Sequence, residues 1–317
     1  MNSINRINPD FDVIAIGELN ADLILRGDVV PQFGQVEKLI DDAALVLGSS
    51  TAIFACGAAR LGLRVAFIGK VGDDALGQFV LRELNTRGVD TSGVVVAPGI
   101  KTGMTVILNR GADRAMLTYL GCINALRFDE INQSFQTLLH RARHVHLGSY
   151  YLLDGLRPDV PRLFDLAHET GLTVSLDTNY DPTEKWDGNV LEAIQRTDVF
   201  LPNEAELLGI THEASAEHAA RKLSTDNRII AAKLGSAGAM AVQGATTLTA
   251  PSIKMDVVDT VGAGDSFDAG FVYGFLNGWP TQKSLQMGCV CGSLSTRAAG
   301  GTAAQATVDE ALSRIFL

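Results

Sequence analysis

The residues best suited to chemistry lie together in Asp259-Thr260-Val261-Gly262-Ala263-Gly264-Asp265-Ser266-Phe267-Asp268-Ala269-Gly270-Phe271, which follows apolar Val257-Val258 and enters a helical pattern reaching about Leu276. A Gly-Ala-Gly turn entering a helix leaves backbone N–H groups pointing one way, and the helix dipole adds positive potential there. Gly262, Ala263 and Gly264 therefore make a natural cradle for an anion. Asp265 is the odd residue in such a turn. A phosphate in the cradle would repel its carboxylate, so it suits a base that takes a proton from a hydroxyl about to attack that phosphate. A plainer account fits as well: Asp265 favours a helix N-terminus and the two glycines make a tight turn.

Other constellations leave similar choices open. Asn20 and Asp22 are two apart just past an apolar run, so in an extended chain both side chains face one way and clamp neighbouring hydroxyls; an ordinary polar turn explains them too. Asn203 and Glu206 have the spacing of a capping box opening Ala205–Leu208. Lys233-Leu234-Gly235-Ser236-Ala237-Gly238 reads as a Gly turn between two strands. Several familiar motifs fail on spacing. A dinucleotide fingerprint counted from Gly262 requires Gly where Phe267 stands, and the one Gly-Lys, Gly69-Lys70, has Arg64 where a Walker A loop needs Gly. His212-Glu213 mimics a zinc helix, but the fifth position is Ala216. His144 and His146 share a strand face without a third ligand nearby.

The elements that must position these residues alternate regularly. Buried strands are expected at Val13–Ile16, Val65–Ile68, Val145–Gly148, Val174–Asp177, Val199–Leu201 and Ile229–Leu234. Helices are expected at Thr51–Leu61, Ala75–Thr86, Val160–Glu169, Val190–Arg196 and Glu217–Leu223. Strands too apolar to be half-solvated, alternating with helices, predict an α/β fold with a mostly parallel central sheet and helices on both faces. Leu23–Leu47 and Met104–Leu120, the latter turning at Arg110–Arg114, break the rhythm; a β flap over the ligand face and a structural hairpin both fit. The 317 residues carry 26 Lys and Arg against 36 Asp and Glu, a formal charge of −10. That argues against a nucleic-acid or membrane-surface binder driven by bulk charge. No run approaches the ~20 apolar residues of a membrane span. MNSINRINPDFD lacks a secretory apolar core, and Cys56, Cys122, Cys289 and Cys291 read as buried reduced thiols of a cytoplasmic protein.

The 259–271 segment resembles, almost residue for residue, the C-terminal signature of the ribokinase-like (PfkB) carbohydrate kinases. Gly48–Gly77 is similar to their N-terminal signature. The resemblance covers most of the chain and implies a single ribokinase-like domain over 1–317, a three-layer sandwich with a small β-sheet lid built from about 19–47 and 100–121. It implies ATP-dependent phosphorylation of a sugar or nucleoside hydroxyl, with Asp265 as base and Gly262, Ala263 and Gly264 as anion hole. By the same resemblance Asn20, Asp22, Gly48, Ser49, Ser50 and Ile53 line the acceptor site, and Asn203, Lys233, Gly235, Ser236, Gly238 and Gly264 the ATP site. Glu206 would hold Mg²⁺ through water and Asp259 a monovalent cation such as K⁺; lid sheets imply a homodimer. Ile53 replaces a common sugar-contacting Asn, Gly48-Ser49-Ser50 replaces a Gly-Gly pair, and Asp181 stands where a basic residue is usual. Ser49 and Ser50 supply hydroxyls there, although Ser50 also fits as the cap of the helix opening near Thr51. Tyr150 and Tyr151 either wall the pocket or pack in the core. A nucleoside kinase of the same family and a non-catalytic nucleotide- or sugar-binding relative are the alternatives. A GHMP-type kinase, suggested by Leu47-Gly48-Ser49-Ser50, lacks its Pro-Gly-rich lead-in.

Overall fold

The computed structural model describes residues 9–110 and 113–315. Most of the segment read above for a leader, and Gly111 and Ala112 of the expected 110–114 turn, lie outside the described residues. The strands are β1 (Val13–Ile16), β2 (Asn20–Arg26), β3 (Asp42–Leu47), β4 (Val65–Ile68), β5 (Lys70–Gly72), β6 (Val89–Asp90), β7 (Val95–Ala97), β8 (Gly103–Arg110), β9 (Asp113–Tyr119), β10 (His144–Leu147), β11 (Thr173–Leu176), β12 (Val199–Phe200), β13 (Ile229–Lys233), β14 (Ala239–Gln243) and β15 (Thr246–Ala250). The main helices are α1 (Ser50–Arg60), α2 (Ala75–Thr86), α3 (Phe128–Leu139), α4 (Val160–Glu169), α5 (Val190–Ile194), α6 (Glu204–Thr211), α7 (Ala216–Leu223), α8 (Ala263–Leu276), α9 (Thr281–Ser295) and α10 (Val308–Leu312).

Nine strands form the large sheet in the order β15-β14-β13-β12-β11-β10-β1-β4-β6, parallel from β13 to β6 and antiparallel at the β13-β14-β15 edge. Its central strands β1 and β4 are apolar throughout because both faces are covered. Val13 and Ala15 point into one core with α1, α2, α8, α9 and α10, whereas Ile14 and Ile16 point into a second with α3 to α7. This is the expected α/β sandwich, with helices on both faces.

The two irregular stretches form a second sheet of four strands, β3-β2-β8-β9. Its Ile24 and Ile107 are buried while Leu45 and Leu117 stay exposed, so one face packs on the body and the other looks outward.

Candidate active site

The parallel strands end at one edge, where α/β sheets bind ligands. Gly17 follows β1, Gly148 follows β10, Asp177 follows β11, Asn203 lies past β12, and Lys233 closes β13. Helix α8 begins over this edge. Gly262 is its N-cap in the left-handed region (φ 73°), and Asp265 lies in its first turn. A Cβ on Gly262 would sit 2.6 Å from Gly301 Cα and 2.9 Å from Ile53 Cγ2, so conformation and space both require glycine. Among the described residues the Gly262 and Gly264 N–H groups donate no hydrogen bond, but Ala263 N–H makes a 3.3 Å turn bond to Thr260 O. The expected three-amide hole is thus corrected to two free amides and one already engaged in the turn.

Asp265 is half-buried and accepts a hydrogen bond from the Ser50 hydroxyl. Burial, then the charge of Asp177, pushes its carboxyl up to about 8, while Ser50 and Lys233 pull the other way. The Lys233 ammonium lies 2.8 Å from Asp177 Oδ2 and 3.1 Å from both oxygens of Asp268. Burial drives Asp268 well above the usual carboxylate range. Burial also opposes ionisation of Asp177, but Lys233 and hydrogen bonds hold it below that range. The ammonium's charge is therefore set against Asp177 while it also contacts Asp268, and it makes no hydrogen bond to Asp265. Oxygens of Asp177, Asp265 and Asp268 lie within 4.8 Å of one another.

Across Asp265 from this cluster lies the small sheet. Asn20 Nδ2 donates to Asp22 Oδ1 at 2.7 Å and to Thr105 Oγ1 at 3.3 Å, and Thr105 meets Thr118 at 3.1 Å. The pairings Asp22 with Thr105 and Thr105 with Thr118 put these polar groups on the body-facing side. Burial pushes Asp22 up to about 7. A Cβ on Gly48 would strike Asp22 Oδ1 at 2.3 Å, so Gly48 presses on this pair.

Other expectations change on contact with the geometry. Ser49, not Ser50, caps α1: its hydroxyl accepts from Ala52 N and donates to Glu18 O. Ser50 is thereby left to Asp265. Ile53 is buried beneath Gly262 and Gly301, so it supports the turn. Asn203 and Glu206 form the capping box of α6, and burial with Asp177's charge pushes Glu206 up to about 7. Asp259 accepts from Val261 N and Gly300 N at 3.0 Å each, and Arg114 of β9 approaches it at 3.7 Å. That set braces the loop. Tyr150 and Tyr151 are buried, and Tyr150 donates to Gly188 O, which settles them as core. His144 and His146 are hydrogen-bonded through Ser175, with Thr173 completing His144. Asp181 accepts from Thr183 N and Trp186 N, an anchor for its own loop.

Beside the cluster a cavity of about 470 Å³ brings together Lys233, Gly235, Ser236, Gly238, Ala263 and Gly264. Asn203 is not in its wall. Ile253, Met255, Val257 and Phe267 give it an apolar side, and Gly292 and Ser293 of α9 close it. Asp268 escaped the sequence reading although a signal existed, since three residues after Asp265 on a helix is the same face. The α9 wall had no such signal, because it depends on α8 packing against α9.

Comparison with known proteins gives a consistent result. The profile of the pfkB family carbohydrate kinases matches residues 10–307. An ATP-dependent ribose-1-phosphate kinase of Halopiger xanaduensis is 32% identical, the match covering 92% of this chain and 94% of that protein. A 5-dehydro-2-deoxygluconokinase of Geobacillus thermodenitrificans is 29% identical over 94% of this chain and 91% of its own. Among solved structures, Arabidopsis thaliana ribokinase complexed with ribose and ATP superposes with a TM-score of 0.83 at 22% identity, covering 98% of this chain and 100% of that one.

Proposed function

The chain belongs to the pfkB family of carbohydrate kinases, phosphotransferases with an alcohol group as acceptor, and on that premise we propose that it moves the γ-phosphate of ATP to a hydroxyl of a sugar or sugar-like molecule with Asp265 as the base. One observation carries the reading. Asp265 stands at the first turn of α8 beside two free amides and accepts from Ser50, two residues after the Gly48 that packs on Asn20 and Asp22.

ATP occupies the cavity beside Lys233 and Gly264, its base against the apolar side and its phosphates toward the Gly262 turn. Asn20 and Asp22 take adjacent hydroxyls of the acceptor, and the small sheet acts as a lid that excludes water. Asp265 removes the proton of the attacking hydroxyl, and the Gly262 and Gly264 amides receive the charge that develops on the phosphoryl oxygens. The carboxylates around Lys233 exceed it in number, and an all-oxygen donor set suits a hard divalent cation. Glu206, whose oxygens accept from Asn203 at the start of α6, would hold Mg²⁺ through water, and the ion would offset phosphate charge. The test is an ADP-release screen with Mg²⁺ over pentoses, hexoses, sugar acids, sugar phosphates and nucleosides. Acceptor-dependent ADP release supports the reading; nucleosides as the sole acceptors would move it to the nucleoside branch, and release with none would overturn it.

Because Asp265 is a base only when deprotonated, kcat/KM should rise with pH along a limb near 8 in the free enzyme. Ser50→Ala removes a hydrogen bond that favours the carboxylate, so the limb should move to higher pH and activity at pH 7 should fall several-fold. An unmoved limb would show that Ser50 does not tune Asp265.

The outward face of the lid aligns Leu23, Leu45, Val106 and Leu117, with Leu45 and Leu117 exposed. A second copy of the chain is the proposed cover, giving a homodimer in the cytoplasm, where ATP and reduced thiols coexist. Light scattering should then report twice 33.7 kDa, and Leu117→Lys should halve it. No helix among the described residues is long and apolar enough to cross a membrane.

A further inference from the structure

Beyond its share in the oxygen donor set, Asp268 has no step in the mechanism above, yet it is 1% exposed and faces the site from the helix that carries Asp265. Burying an acid is costly unless it is hydrogen-bonded, so its partner is informative. Both its oxygens are 3.1 Å from Lys233 Nζ, a forked contact that fixes the ammonium from one side while Asp177 Oδ2 fixes it from the other at 2.8 Å. The same Nζ lies 3.6 Å from the point where a Cβ on Gly264 would be. The ammonium thus sits against the free-amide turn and in the wall of the nucleotide cavity.

Three acceptors compete for one lysine here: Asp177, Asp268 and Asp265, whose oxygens are within 4.8 Å of one another. Lys233 contacts the first two and makes no hydrogen bond to Asp265. Were one Asp268 oxygen replaced by an amide NH₂, which cannot accept and faces the ammonium as a second donor, the fork would be lost and the ammonium would settle between Asp177 and Asp265. A Lys233–Asp265 pair would weaken the base and draw the positive charge away from Gly264.

We propose that Asp268 is a positioning residue for phosphoryl transfer: it holds the Lys233 ammonium beside the Gly264 turn, facing the phosphates and away from Asp265. This rests on the ATP-dependent reading of the site. Fixed charge aimed at a transferring phosphoryl group stabilises the transition state without reorganisation at the moment of reaction. Asp268 therefore acts through Lys233, and its removal should tell in kcat more than in nucleotide affinity.

The experiment compares wild type, Asp268→Asn, Lys233→Gln and the double variant, using the full chain with Mg²⁺ and the best acceptor from the screen. Calorimetric affinities for ATP and for adenosine, kcat, and melting temperature are measured for each. Asp268→Asn should lower kcat about 10-fold or more while ATP affinity stays within about 3-fold. Lys233→Gln should weaken ATP about 10-fold or more and leave adenosine unchanged, because only ATP presents phosphates to the ammonium. The double variant should be no slower than Lys233→Gln alone, and it also relieves the buried acid that Lys233→Gln leaves without its cation. A folded Asp268→Asn enzyme with normal kcat would overturn the proposal, as would a further 10-fold loss on adding it to Lys233→Gln. Equal weakening of ATP and adenosine would mark Lys233 as structural and overturn it too. Wild-type protein that binds neither nucleotide would instead remove the ATP reading itself.

Discussion

Asp265→Asn is expected to lower kcat by about 10²–10⁴ while binding ATP within a few-fold of the wild type. The loss corresponds to about 3–5 kcal/mol of barrier. The amide keeps the size of the side chain and can still accept from Ser50, so the first turn of α8 and its free N–H groups should persist. What disappears is an oxygen basic enough to take the acceptor's proton. ATP affinity should hold or improve slightly, since a neutral amide no longer repels the phosphates. Rapid-quench measurement of a single turnover, with calorimetric ATP binding alongside, separates the two quantities. Near-normal turnover would remove Asp265 from the role of base.

Gly262→Ala should be nearly as damaging through a different route. The residue is left-handed at φ 73°, and the added methyl would press on the Gly301 backbone 2.6 Å away and on Ile53. Backbone cannot retreat as a flexible side chain can, so the turn must shift. A shift re-aims the Gly262 and Gly264 amides, and losing one such donor typically costs 10²–10³ in kcat. Melting temperature should drop as well, because a non-glycine residue in this region costs about 1–2 kcal/mol. Full activity in a folded Gly262→Ala protein would show that these amides do not hold the reacting group.

Much of this architecture was legible in the sequence because burial on both faces leaves an unmistakable apolar run. Val13–Ile16 and Val65–Ile68 were readable for that reason, and Ala75–Thr86 and Val160–Glu169 by amphipathic period and flanking breakers. The tight turn that opens α8 was legible from glycine spacing. What could not be read was tertiary competition for a shared group. Ser50 fits as the cap on paper, and only the folded contacts, with the Ser49 hydroxyl accepting from Ala52 N and donating to Glu18 O, assign the cap to Ser49 and leave Ser50 to Asp265. Ile53 is expected at the acceptor site because it holds the position of a common sugar-contacting Asn, but helical phase turns it under Gly301. Asp177, Lys233 and Asp268 are far apart in sequence, so no local pattern announces that they converge.

The groups proposed to hold the alcohol, Asn20 and Asp22, sit with Thr105 and Thr118 on a sheet of their own, while the groups proposed to transfer the phosphoryl are built on α8 and the large sheet. Such a division makes diet separable from engine. Exchange of the 103–119 hairpin between relatives, or drift within it, can change which alcohol is accepted while leaving the nucleotide machinery untouched, and chimaeras grafted at those two strands are the natural place to look for new specificities.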